Sequence, residues 1–98
     1  MTHPIHTVRS VEVVGPHSLH LAFGDGLERT VDLTEVLAGA LYGPLADPAF
    51  FARVALDPEA RTIAWPNGAD FDPATLHDWP DHEREWKERA QRWRMATV

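Results

Sequence analysis

Ninety-eight residues make one domain's worth of chain, which buries only about 60–65% of the surface its unfolded form exposes, so each large apolar side chain counts. The composition is 44% hydrophobic and 24% charged, as in an ordinary globular protein. With no cysteine there is no disulfide frame, no thiolate nucleophile and no cysteine-type zinc site.

The formal charge of −6 is concentrated before Pro80, where four arginines and no lysine face eleven acids. Such a body repels a phosphate backbone, so nucleic-acid binding is not expected. No apolar run approaches the ~20 residues of a membrane span. Met1-Thr2-His3-Pro4 lacks a signal peptide's basic start and apolar segment, so a cytoplasmic protein is expected.

Residues 1–7 read as a flexible lead-in. Val8 to Val14 alternates from Val11 onward and predicts a strand, with Gly15-Pro16-His17-Ser18 as the turn after it. Leu19, Leu21 and Phe23 share a face of the next strand. Asp25-Gly26 suits a tight hairpin turn whose central residues need positive φ. Leu27, Val31 and Leu33 share a face on the return, completing a three-stranded antiparallel meander.

Thr34 is expected to cap a short helical turn with Leu33, Val36 and Leu37 against the sheet, ended by Gly39 and Gly43-Pro44. Leu45 to Arg53 predicts a second short helix, with Asp47 as its cap and Pro48 at its first position. Val54-Ala55-Leu56 and Arg61 to Trp65 read as short strands. Asp72-Pro73 repeats the cap-then-proline signature.

From Pro80 to about Met95 the pattern is helical and amphipathic. Glu83–Lys87, Glu85–Arg89 and Glu88–Arg92 are acid-before-base pairs at i,i+4, each worth ~0.2–0.5 kcal/mol. Trp86, Ala90 and Trp93 fall on one stripe, with Trp79 one heptad before Trp86. The fold class expected is α+β: a small antiparallel β-meander with short helices over residues 1–78, then a Trp-rich C-terminal helix over 79–98 that packs on it or on a partner.

The hairpin Leu19 to Gly26, the Val31-Asp32-Leu33 after it, Leu45-Ala46-Asp47-Pro48 leading into Phe50, and above all Thr62-Ile63-Ala64-Trp65-Pro66-Asn67-Gly68-Ala69-Asp70-Phe71-Asp72-Pro73-Ala74-Thr75-Leu76 resemble a bacterial family catalogued as domain of unknown function 2442. The resemblance covers roughly residues 8–77. It implies a small α+β domain, found alone or fused to a helix-turn-helix domain, and a suspected partner in two-gene toxin–antitoxin-like modules. It carries over no functional residue. The Trp-rich helix, with no DNA-reading domain after it, departs from the fused members.

Candidate sites follow from the residues themselves. Asp70 and Asp72 beside Trp65, Asn67 and Phe71 suit either acid–base work, a cation or a sugar-like ligand, or else a turn followed by a helix cap; the capping reading is expected. Trp79, Trp86 and Trp93 form either an aromatic docking stripe or a cover for their own sheet, and the sequence leaves both open.

The six histidines lack a ligating spacing, since His17 and His20 on an extended strand point to opposite faces. No metal, cofactor or catalytic constellation is therefore expected: there is no Gly-x-Ser-x-Gly elbow and no phosphate-cradling glycine loop. The expectation is a non-enzymatic protein-interaction or regulatory module that binds another chain or itself. A ligand-binding or hydrolytic domain built on Asp70 and Asp72 is the alternative.

Overall fold

A computed structural model describes residues 6–96; of the lead-in expected over residues 1–7, residues 1–5 lie outside the described residues. Strands β1 (Val8–Gly15), β2 (Ser18–Phe23) and β3 (Glu28–Asp32) form an antiparallel meander in that order. Val13 pairs with Leu19, Leu21 with both Val11 and Arg29, and Leu19 with Val31. Because side chains alternate across a strand, this register sends Leu19, Leu21, Phe23 and Val31 into the core.

The hairpin between β2 and β3 differs from the tight Asp-Gly turn expected. The Gly26 N–H donates to the Phe23 carbonyl and the Phe23 N–H to the Leu27 carbonyl, and within this loop Gly26 alone has positive φ, at 93°. This is the longer loop in which a turn is followed by one left-handed residue. The Asp25 carboxylate accepts the Leu27 N–H at 3.0 Å, a side-chain bond that fixes the turn.

After β3 the chain makes a single 3₁₀ turn, Thr34–Val36. Thr34 is not its cap. The turn is instead held from Asp32, one residue before the cap position, whose carboxylate reaches forward to accept both the Thr34 N–H at 2.9 Å and the Thr34 hydroxyl at 2.6 Å. Leu33, Val36 and Leu37 are buried as the pattern requires.

The glycines expected to end this element instead start new ones: helix α1 (Gly39–Tyr42) and a 3₁₀ turn at Gly43–Ala46. Helix α2 is limited to Pro48–Phe51, and its cap is the Asp47 carboxylate, which accepts the Ala49 N–H at 3.1 Å. Strands β4 (Ala55–Asp57) and β5 (Thr62–Ala64) form a separate two-stranded sheet beside β1, with the Val8 N–H donating to the Arg61 carbonyl.

Helix α3 (Pro73–His77) leads into α4 (Trp79–Ala96), which lies back across the domain. Lys87 bridges to Glu35 on the first 3₁₀ turn, and Arg94 donates to the Glu35 carbonyl at 2.9 Å. Of the three i,i+4 pairs expected, Glu83–Lys87 forms. The other two do not, because Arg89 lies over the Trp86 ring at 4.9 Å and Glu88 bonds Arg84. No helix of the described residues is long and apolar enough to cross a membrane.

Candidate functional site

The Trp65–Asp72 corner is built by the same device as the β2–β3 hairpin. The Gly68 N–H donates to the Trp65 carbonyl, the Trp65 N–H to the Ala69 carbonyl, and Asn67 Oδ1 accepts the Ala69 N–H at 3.1 Å. Gly68 takes φ of 89°, a conformation in which a Cβ would be strained. Phe23–Leu27 and Trp65–Ala69 are therefore two copies of one turn, with Asp25 and Asn67 in equivalent positions. The Asn67 amide also donates to the Leu41 carbonyl at 2.9 Å, tying the corner to α1.

Beyond the turn, residue 70 bridges back to Ala64 and the chain runs extended, so Asp70 and Asp72 are exposed while Phe71 points inward. Phe71 is the hub of an aromatic layer. Its ring centroid lies 5.0 Å from Trp86, 5.1 Å from Tyr42, 6.0 Å from Trp65 and 6.4 Å from Trp79. Neighbouring main-chain carbonyls are claimed as well: Thr62 donates to that of Phe71, Tyr42 to that of Asp70, and Trp65 Nε1 to that of Phe51. Trp65, Phe71 and Trp79 are core residues, and Asn67 is a brace.

The tryptophans of α4 cover the domain's own aromatic layer. Trp79 is buried, Trp86 packs edge-on to Tyr42 at 5.5 Å, and Trp93 stacks over Tyr42 at 6.5 Å and against Gly39. No continuous aromatic stripe is left facing solvent on α4.

One expectation for the corner fails. Asp72 occupies the position before α3 with extended backbone, yet its carboxylate makes no capping bond; only its carbonyl is used, by the Leu76 N–H. Neither it nor Asp70 lines the shallow depressions found along α4, beside β4–β5 and at the β2–β3 hairpin. The corner thus supplies two exposed carboxylates outside those depressions.

A second cluster had no signal in the sequence. His77, at the end of α3, holds a carboxylate at each ring nitrogen: Asp78 Oδ1 2.8 Å from Nδ1 and Asp25 Oδ2 2.7 Å from Nε2. The His6 ring stacks on it at 3.7 Å and the Phe23 ring meets it edge-on at 5.1 Å. Arg29 Nε donates to the His77 carbonyl at 3.0 Å.

Both nitrogens can donate only as the imidazolium. Asp78, followed by Asp25, accordingly holds the His77 pKa above its ordinary value against the opposing effect of burial. In return His77 holds both carboxyls below theirs, for Asp25 after the larger effect of the Leu27 N–H. An imidazolium held this way is no free general base. Asp78 is the sequence neighbour of His77, but His6, Phe23, Asp25 and Arg29 lie far from both along the chain, and the topology joins them.

No curated protein and no solved structure matches the chain. A family model described as "Protein of unknown function (DUF2442)" matches residues 8–81, which takes in both sheets, the corner, α3 and the start of α4. Since that match covers well over half of its length, the chain belongs to the DUF2442 family.

Proposed function

We propose that this is a bacterial, cytoplasmic, non-enzymatic protein-interaction module, and that its contact element is the edge strand β1. The observation that carries the reading is the state of that strand. β2 pairs with one side of it; on the other, among the described residues, only the Val8 N–H has a main-chain partner, the Arg61 carbonyl. Val13 and Val14 near its end are 39% and 50% exposed.

An unpaired edge with apolar side chains is a template on which another chain can add a strand, with main-chain bonds giving affinity and alternate side chains giving specificity. The tryptophan face of α4 is a poorer candidate because it packs on Tyr42 and Phe71. A partner encoded beside this chain, as in the two-gene modules that the resemblance implies, is one case of this reading. Self-pairing is the other.

The reading is tested with Val14→Lys, which places a charge on the edge without touching the core. The wild-type chain should either self-associate in sedimentation or retain a partner on co-purification, and Val14→Lys should lose that association while its unfolding stays cooperative. A chain that stays monomeric at high concentration and retains nothing, or an association that Val14→Lys leaves intact, refutes it.

A further inference from the structure

We propose that His6, His77 and Asp78 form a binding site for one zinc-class divalent ion, with Asp25 as its outer support. One ligand atom from each of these three residues lies within 4.8 Å of the others, although His6 precedes β1 and the other two sit at the α3–α4 junction. Imidazole with carboxylate is a donor set that suits zinc, whereas magnesium prefers oxygen ligands alone.

Two of the ligands are already neighbours. His77 Nδ1 and Asp78 Oδ1 share a hydrogen bond of 2.8 Å. They must part to about 3.3 Å to hold a tetrahedral ion, a small side-chain rotation, and the proton they now share leaves to solvent.

The opposite nitrogen, Nε2, faces Asp25 Oδ2 at 2.7 Å. This is the arrangement in which a carboxylate fixes the tautomer and ring direction of a metal-bound histidine. Asp25 is itself anchored by the Leu27 N–H, and His77 by Arg29 and the edge of Phe23. The support therefore comes from the β2–β3 hairpin and the ligands from the other side of the cluster.

His6 completes the set by turning out of its stack on His77. Its ring lies at 3.7 Å centroid distance and 16° to His77, so in that stack the two rings' lone pairs cannot meet at one ion. His6 lies at the start of the described chain and is only half-buried, so this turn disturbs no core packing. A bound ion would then link the N-terminal segment to the α3–α4 junction, leaving a fourth position open.

The experiment is calorimetric titration of the untagged, chelator-treated full chain with zinc chloride, with magnesium chloride as control. One zinc per chain should bind in the micromolar range or tighter, and magnesium should not. His6→Ala and Asp78→Asn should each weaken zinc binding by about tenfold or more while the metal-free melting curve remains cooperative; Asp25→Asn should weaken it by a similar factor through His77 alone. On the wild-type chain, the ring C–H resonances of His6 and His77 should shift together as zinc is added. Absence of zinc binding, binding that survives either His6→Ala or Asp78→Asn, or shifts confined to other histidines overturns the proposal.

Discussion

Trp65 and Trp79 are the same residue type at nearly the same burial, 4% and 3% exposed, yet replacing each by phenylalanine should have different consequences. Both changes shrink an indole to a benzene ring and leave a comparable void. What separates them is the ring N–H. Trp65 Nε1 donates to the Phe51 carbonyl at 2.9 Å, whereas Trp79 Nε1 is buried with no partner. Trp65→Phe therefore loses a hydrogen bond, a net ~0.5–1.5 kcal/mol. The Phe51 carbonyl is not stranded by this, since it also accepts the Val54 N–H at 3.2 Å, so no further desolvation penalty is added.

Trp79→Phe removes a donor whose unpaired burial costs ~1–3 kcal/mol, and this relief offsets part of the void. Trp65→Phe should thus be the more destabilising by about 1.5–4.5 kcal/mol. In a domain of this size that separates the two melting midpoints by roughly 6 °C or more. Urea and thermal unfolding followed by far-UV circular dichroism measure both quantities. Equal losses, or a greater loss for Trp79→Phe, would show that the indole N–H contacts do not govern the energetics here.

Three further outcomes follow from the same contacts. Gly39→Ala meets both a left-handed φ of 87° and the Trp93 ring, 2.9 Å from the added Cβ; the ring clash, worth ~1–3 kcal/mol, should vanish in a Trp93→Ala background while the backbone cost of ~1–2 kcal/mol persists, as a double-mutant cycle would measure. Tyr42 is the one tyrosine, so absorbance titration reads it alone, and burial followed by the nearby Asp70 should place its ionisation above the ordinary value. Its raised pKa adds stability that is present below the unfolded value and lost as pH rises through the folded one, and Asp70→Asn should lower that folded value. Asp32, held below its ordinary pKa by Thr34, contributes above its unfolded value and less as pH falls, so Asp32→Ala should cost about 1 kcal/mol at neutral pH and less in acid, by urea unfolding at both.

Much of the fold was legible because it rests on local rules. Leu19, Leu21, Phe23 and Val31 alternate with small or polar residues, and a strand with one buried face permits one register. Asp47-Pro48 announced α2, since a side-chain acceptor followed by a residue with no N–H to satisfy is a local signal. The same signal at Asp72-Pro73 placed α3 but misjudged the carboxylate, because a cap position does not oblige the side chain to bond. The helical turns from Gly39 to Ala46, where Gly39 and Gly43-Pro44 suggest breaks, are hidden for a different reason: with two glycines and a proline the segment has weak helical propensity, and its turns are held by tertiary contacts, Tyr42 to the Asp70 carbonyl and the Leu41 carbonyl to Asn67.

The site divides along the same line. The Trp65–Asp72 corner stood out in the sequence because Asn-Gly, proline and paired aromatics crowd a dozen residues, and those features specify a turn and a core hub. Residues that specify backbone geometry are local by nature, so a local reading finds them first and is drawn to take them for function. Chemistry more often needs groups brought from separate elements. His6, Asp25, His77 and Asp78 illustrate this: the adjacent Asp78 supplies the carboxylate at one imidazole nitrogen of His77, but only the closing of the β2–β3 hairpin onto the end of α3 sets a second, from Asp25, at the other. Asp25 belongs to both worlds, since one of its oxygens fixes the turn and the other meets His77. In Asn67, at the equivalent place in the second copy of the turn, the group beyond the turn-fixing oxygen is an amide, and it is spent on the Leu41 carbonyl. The two copies therefore separate what the turn requires from what it can present, and the difference lies in the outward-facing atom of one side chain.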